Sequence, residues 1–303
     1  MAKSRQLRGR IRSVRNTRKI TRTMELVSTS KLKRAQDRVI AARPYAEALR
    51  ATIADLLTPE LTESFPLLRV PKSPAKGGPR RAAVVLLTSN RGLCGSFNAN
   101  LIKEARRRIE QLEGSGYTVD LYAIGKKGAG FFKYTGRKLA GERVDIGDRP
   151  TPDHAAEIAG PLIAAYESGE LASVDLVQAR FQSALSTPPA TVRVLPVEAR
   201  ADGSGRERKG AGGSGYQPYY ILEPSGEAIL AELLPLYVRN MFYRGLVETA
   251  ASEHGARRTA MKNATDNAGD LIELLTRTYN RQRQAQITQE IAEIVGGAAA
   301  LQG

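Results

Sequence analysis

The chain has 303 residues, with 46 Lys and Arg against 31 Asp and Glu, a net charge of +15, no Trp and one Cys. A single thiol excludes an internal disulfide, and no apolar run reaches the roughly 18–20 residues a membrane-spanning helix needs. The basic N-terminus has no apolar core behind it, which argues against a secretory signal; the chain reads as intracellular and soluble, or held at a membrane only through partners.

The charge is uneven. Residues 1–50 hold 15 Lys or Arg and only three acids, Glu25, Asp37 and Glu47. Such asymmetry points to an acidic partner: nucleic acid, anionic lipid or an acidic protein surface.

In chain order, Ser4 to Leu57 reads as one long helix. Apolar or small residues recur at Leu7, Ile11, Val14, Met24, Val27, Leu32, Ala35, Val39, Ala42, Ala46, Leu49, Ile53 and Leu56, in steps of three or four that suit a coiled-coil seam. The stripe weakens between Thr17 and Arg22. Pro44 should interrupt the hydrogen-bond ladder and kink the rod. Pro71 to Pro79 reads as a linker.

Ala82 to Thr88 is a short apolar run, as in a buried strand. The loop Ser89 to Gly95 leads into a helix from Asn98 to Glu113, stopped by Gly114, Ser115 and Gly116. A second strand runs from Thr118 to Ile124, and a weaker one lies near Arg143 to Ile146. After Pro152 comes a helix from Asp153 to Glu167. Two strands close the domain, Ser173 to Ala184 and Ala190 to Val197, joined through Ser186-Thr187-Pro188-Pro189. Strands alternating with helices predict a mostly parallel α/β sheet with an antiparallel edge pair.

Arg200 to Gly215 is Gly, Ser and charge without periodicity, the composition of a disordered or mobile loop; Tyr219 to Leu222 is a short extended piece. The second rod starts behind Pro224, with Ser225 as its cap, and runs to Gly303. Its centre is small and polar, with Ala256, Ala260, Ala264 and Ala268 at the seam. The rods, roughly 80 Å and roughly 110 Å at 1.5 Å per residue, are too long for a compact core and must pair or thread through something larger. The predicted fold class is α+β: a long antiparallel coiled coil of the N- and C-terminal helices plus a central Rossmann-like α/β domain. The expected divisions are 1–57, 80–198, a Gly-rich loop 199–218, and 225–303. The C-terminal rod is the longer by about 20 residues, and its apolar tip, Ile294 to Leu301, should be sheathed by something.

Three candidate sites have weak support. Gly125-Lys126-Lys127-Gly128-Ala129-Gly130 follows a strand but has neither the phosphate-loop order nor the dinucleotide fingerprint, so it reads as a turn into a helix. His154 and His254 lie far apart with no Cys nearby, against a metal or triad site. Nothing in the sequence activates Cys94. No cofactor is expected.

Leu7 to Ser28 (LRGRIRSVRNTRKITRTMELVS) resembles the opening of the gamma subunit family of F-type ATP synthases. So do Ser89 to Ser96, Ala260 to Ala268 (AMKNATDNA), and Tyr279 to Ile291 continuing through Glu293 to Ala298. The resemblance covers both rods and the central domain, in the family's order. It implies a rotor shaft with no catalytic residues of its own, inside a ring of three alpha and three beta subunits. Its α/β domain would sit against the epsilon subunit and the c-ring, peripheral to the cytoplasmic face of a bacterial plasma membrane. The resemblance also implies contact residues. Met24 would lie where the shaft meets an acidic beta loop, with Arg10, Arg18, Lys19 and Arg22 as basic partners. Arg257, Gln284, Thr288 and Glu290 match positions of shaft-to-stator or shaft-to-shaft contacts. By spacing alone, Gln284, Thr288 and Glu290 are ordinary helix-surface residues, and Met24 is a seam methionine.

Two other function classes compete. A basic coiled-coil nucleic-acid-binding protein would bind with steep salt dependence, but aromatics are scarce on the basic rod and no base-reading module is visible. A small α/β enzyme with helical arms would need clustered titratable groups, and no such cluster stands out.

Overall fold

The computed structural model describes the backbone of residues 2–57, 59–69, 80–183, 186–197 and 225–302, and their side chains except at 2–4, 59, 60 and 298–302. The expected linker Pro71 to Pro79, the Gly-rich loop 199–218 and the extended piece Tyr219 to Leu222 lie outside the described residues, as do the side chains of Ala298 to Leu301.

The chain divides into two units. One is Lys31–Ala256; the other joins Met1–Ser30 to Arg257–Gly303. Two helices contribute residues to both: α1, Ala2–Leu56, and α6, Gly226–Gln302. Both rods thus form as helices. Helix α1 continues through Pro44. The proline lies on the exposed face, so water can satisfy the carbonyl that loses its ladder donor. Ser225 caps α6 as expected, its Oγ accepting from the Ala228 amide at 3.2 Å.

The unit Lys31–Ala256 is built on a five-stranded sheet of order β3-β2-β1-β4-β5. Its strands are β1 (Arg81–Leu87), β2 (Thr118–Ile124), β3 (Gly141–Arg143), β4 (Ser173–Ala179) and β5 (Pro189–Leu195). All neighbours run parallel except β4 and β5, the antiparallel edge pair. Central strands β1 and β4 are buried on both faces, which explains their unbroken apolar runs. Helix α3 (Phe97–Gly114) lays Leu101, Ala105, Ile109 and Leu112 on one face of the sheet. The other face takes α5 (Pro152–Glu167) with Leu49, Ile53 and Leu56 of α1 and Leu230, Leu234, Val238, Phe242 and Leu246 of α6. The chain ends therefore supply one layer of the central domain.

Some elements differ from the sequence reading. The weak strand sits at Gly141–Arg143, shorter and earlier than expected, and β4 ends at Ala179. Helix α2 (Pro59–Ser64) and a 3-10 turn at Pro66–Leu68 were not anticipated. The turn buries Leu67 and Leu68, and is tied down by Val197 N donating to the Leu67 carbonyl at 2.8 Å and Tyr166 OH to the Arg69 carbonyl at 2.8 Å. Its signal is tertiary, since three residues show no period.

Asp175 on β4 is only 1% exposed. Its carboxylate accepts from Arg108 Nε of α3 at 3.0 Å and Arg193 Nε of β5 at 3.1 Å. One buried charge is thus matched from two elements, which locks α3 and the edge strand onto β4.

Candidate functional site

The second unit, Met1–Ser30 with Arg257–Gly303, is a pair of antiparallel helical segments. Thr21 Oγ1 lies 2.8 Å from Thr265 Oγ1. The Arg18 guanidinium lies over Gly269, and Arg8 Nη2 donates to Tyr279 OH at 2.6 Å. Stepping ten residues down α1, from Arg18 to Arg8, matches ten residues up α6, from Gly269 to Tyr279, so the register is in step. Ile11, Ser28, Met261, Thr265 and Ala268 are buried at the seam. Hydroxyls and small side chains fill it where aliphatics are missing, and Thr265 also donates to its own helix at the Met261 carbonyl, 2.8 Å away. The weak stripe between Thr17 and Arg22 is the place where this polar seam forms.

The basic face stays outside. Arg10, Arg18, Lys19 and Arg22 are all exposed. Among them Arg22 forms an ion pair with Glu25, at 2.9 Å. Met24 is half-buried, and its carbonyl accepts from Ser28 Oγ at 2.7 Å. These five residues share one stretch of α1.

Gln284, Thr288 and Glu290 are exposed on α6. Thr288 Oγ1 donates to the Gln284 carbonyl at 3.0 Å and Gln286 Nε2 to Glu290 at 3.1 Å, so all three take part in bonds local to the helix. By the observed register Gln284 stands level with the very start of α1, about 30 Å along the axis from Met24. The two groups are separate. Arg257 differs from both, being 7% exposed. Sequence spacing alone missed the Arg8–Tyr279 and Thr21–Thr265 contacts; their signal is polar residues at seam positions.

Residues past about 286 on α6 have no described α1 residue level with them. Ile287, Ile291, Ile294 and Val295 are exposed there, the last two at 71% and 62%.

In the unit Lys31–Ala256, the C-terminal edge of the parallel strands is where sheets of this kind hold ligands. A cleft of about 620 Å³ opens there, lined among others by Asn90, Lys126, Asp148 and His154. Its polar groups bond the protein itself. Asn90 accepts from the Lys126 amide at 2.9 Å and donates to the Val144 and Ile146 carbonyls. His154 Nδ1 accepts from the Thr151 amide at 3.2 Å, completing a capping box for α5. Gly125 precedes α4 (Lys126–Tyr134) at φ 103°, pressed on the Thr88 carbonyl. The glycines therefore serve a tight strand-to-helix turn. Cys94 is buried, with Asn98 Nδ2 3.1 Å from its Sγ. Among the described residues, no group of three or more His, Cys, Asp or Glu could hold a metal, and no helix is long and apolar enough to cross a membrane.

A family model described as ATP synthase matches residues 3–301. The chain is 57% identical over 306 residues to the ATP synthase gamma chain of Gemmatimonas aurantiaca, covering all of both chains. It is 42% identical over 301 residues to that of Leptospira biflexa, covering 99% of this chain and 100% of the relative. Among solved structures, a chain of the Euglena gracilis mitochondrial ATP synthase OSCP/F1/c-ring assembly aligns with TM-score 0.68 at 18% identity, covering 99% of this chain and 95% of that one. A chain of the rotor from the same organism aligns with TM-score 0.64 at 19% identity, covering 94% and 99%. At these identities the structures show the shared fold.

Proposed function

The chain belongs to the ATP synthase gamma-chain family, and from that premise we propose that it couples proton flow through the membrane sector to ATP synthesis or hydrolysis by turning inside the alpha–beta ring. It is the central-stalk, non-catalytic subunit of the complex, with catalysis in the beta subunits. Its partners are three alpha and three beta subunits, epsilon and the c-ring. It works at the cytoplasmic face of a bacterial plasma membrane, held there through those partners. One observation carries the reading above all: identity of 57% along the whole length of a gamma chain, both helical segments included. Family membership displaces the nucleic-acid reading, which nothing in the comparisons supports.

The mechanism follows from differential contact. A shaft can bias three like sites only by touching each one unequally. Turning it changes which site is favoured, and by linkage the state of the sites biases the shaft. The exposed Arg10, Arg18, Lys19 and Arg22 beside Met24 are suited to meeting an acidic loop. Each exposed ion pair is worth only about 0–1 kcal/mol, and weak, replaceable contacts are what a turning surface needs. Gln284, Thr288 and Glu290 act at a second level, about 30 Å further along. Burial of Arg257 favours a shaft-to-shaft contact. The exposed apolar stretch around Ile294 and Val295 turns within an apolar collar. Assembly with alpha and beta subunits tests this: a bead fixed to the chain should rotate in one direction during ATP hydrolysis. No co-assembly, or assembly without rotation, removes the reading.

A further inference from the structure

Residues 144–151 form a loop between β3 and α5 whose two ends are held differently. At its start, Asn90, just beyond β1, donates to the Val144 and Ile146 carbonyls at 3.0 Å and 2.9 Å. A few residues on, Asp148 reaches the helices. Its carboxylate bonds Lys31 Nζ of α1 and lies 3.9 Å from His254 Nε2 of α6. Its carbonyl accepts from Arg38 Nη1 at 3.2 Å. Lys31 and Arg38 stand seven residues apart, on one face of α1. The loop is therefore bonded to the sheet at one point and to α1 at another, with His254 of α6 close to the same carboxylate.

The place matters. Lys31 is the first residue of this unit and His254 is two short of its last. The apolar grip there is light: Leu32, Ala35, Val39, Val247 and Ala251 with Phe181, against the large cluster around Leu230 to Leu246. Apolar packing is also non-directional, so it resists separation better than rolling. A charged hydrogen bond has a fixed direction and resists rolling. Burial alone would raise the Asp148 carboxyl; the Lys31 hydrogen bond together with the charges of His254, Lys31 and Arg91 outweighs it and holds the group below its ordinary value.

We infer that Asp148 makes this loop a strap, fixing the rotational setting of the α1 and α6 segments of this unit against its sheet. The inference rests on the rotor reading. Asp148 and Lys31 are positioning residues in it; neither touches a nucleotide site.

The test uses the assembled alpha–beta–gamma complex, with beta immobilised and a bead on the central domain. The angular spread of the bead is read during catalytic pauses. Asp148→Asn and Lys31→Met should each widen the angular variance about twofold, the scale of losing one charge-assisted bond among several tethers, at an unchanged ATP hydrolysis rate. Lys31→Arg should keep the wild-type spread. Wild-type spread in both Asp148→Asn and Lys31→Met overturns the strap. So does a loss of hydrolysis in step with the wider spread, which marks a merely structural role. If Asp148→Asn fails to assemble, Lys31→Met decides alone. A wild-type complex that hydrolyses ATP without rotating removes the rotor reading and the strap with it, an outcome separate from the others.

Discussion

Arg143 shows how one side chain organises a surface loop. It donates to both oxygens of Asp145, at 2.8 Å and 2.6 Å, and to Glu157 at 2.8 Å. The hydrogen bond from Arg143 brings the Asp145 pKa from 3.8 down to about 2. The folded value lies below the unfolded one, so this contribution is complete above pH 3.8 and is lost as pH falls towards 2. An NMR titration should place Asp145 near 2, and Arg143→Ala should return it towards 3.8. Asp175 is the buried counterpart. Asp175→Ala leaves Arg108 and Arg193 without their shared carboxylate and should cost about 2–4 kcal/mol in denaturant unfolding. Arg108 and Arg193 are 22% and 34% exposed and can turn to water, which keeps the cost below that of stranding a fully buried charge.

At the scale of elements, contact between α6 and the sheet depends on a missing side chain. A Cβ on Gly245 would stand 2.3 Å from Gln178 Oε1 and 2.7 Å from Leu176 Cδ2, both on β4. Gly245→Ala should push the Gln178 and Leu176 side chains aside and cost about 1–3 kcal/mol, read as a lower unfolding midpoint; Gly130→Ala, with open space at its Cβ position, is the control. Next to that contact, α6 supplies hydrogen bonds that β4 lacks at its end. Thr249 Oγ1 accepts from the Ala179 amide at 3.3 Å, and Glu248, itself held by Arg244 at 2.8 Å, accepts from the Phe181 amide at 3.3 Å. This also bears on why the strand stops at Ala179 although the sequence stays strand-like beyond it: one edge of the backbone turns to helix side chains, while on the other the Arg180 amide still donates to the Pro188 carbonyl at 2.9 Å. Period and composition placed α3, α5, β1 and β2 to within a residue or so. They missed the 3-10 turn at Pro66–Leu68, whose reason for existing lies in the groups it packs against.

For the molecule as a whole, the excess charge of the first fifty residues serves contact more than folding. Arg10, Arg18, Lys19 and Arg22 are exposed, so replacing all four with Gln should leave the unfolding temperature nearly unchanged, since surface substitutions usually stay within about 0.5 kcal/mol. In the assembled complex the same variant should lose stall torque, and added salt should lower wild-type torque in the same direction, because exposed charges are screened. Unchanged torque in the variant would remove these residues from the proposed contact. How much of the site was legible follows from the same exposure. The basic face, Met24 and the polar run near Gln284 stand out in the family motifs. The burial of Arg257 and the seam pair Thr21–Thr265 do not, because a polar residue on a helix looks alike in sequence whether it faces water or a partner.

The sequence by itself determined the two long helices, the parallel sheet with its antiparallel edge and the family, because periodicity and composition act locally along the chain and long motifs are specific. Tertiary structure alone decided the register of the helix pair, the double anchoring of Asp175 and the reach of Asp148 to both helices. Those depend on groups brought together from separate elements, 117 residues apart for Lys31 and Asp148 and 271 for Arg8 and Tyr279, and no local pattern encodes which partner a charge or hydroxyl will find.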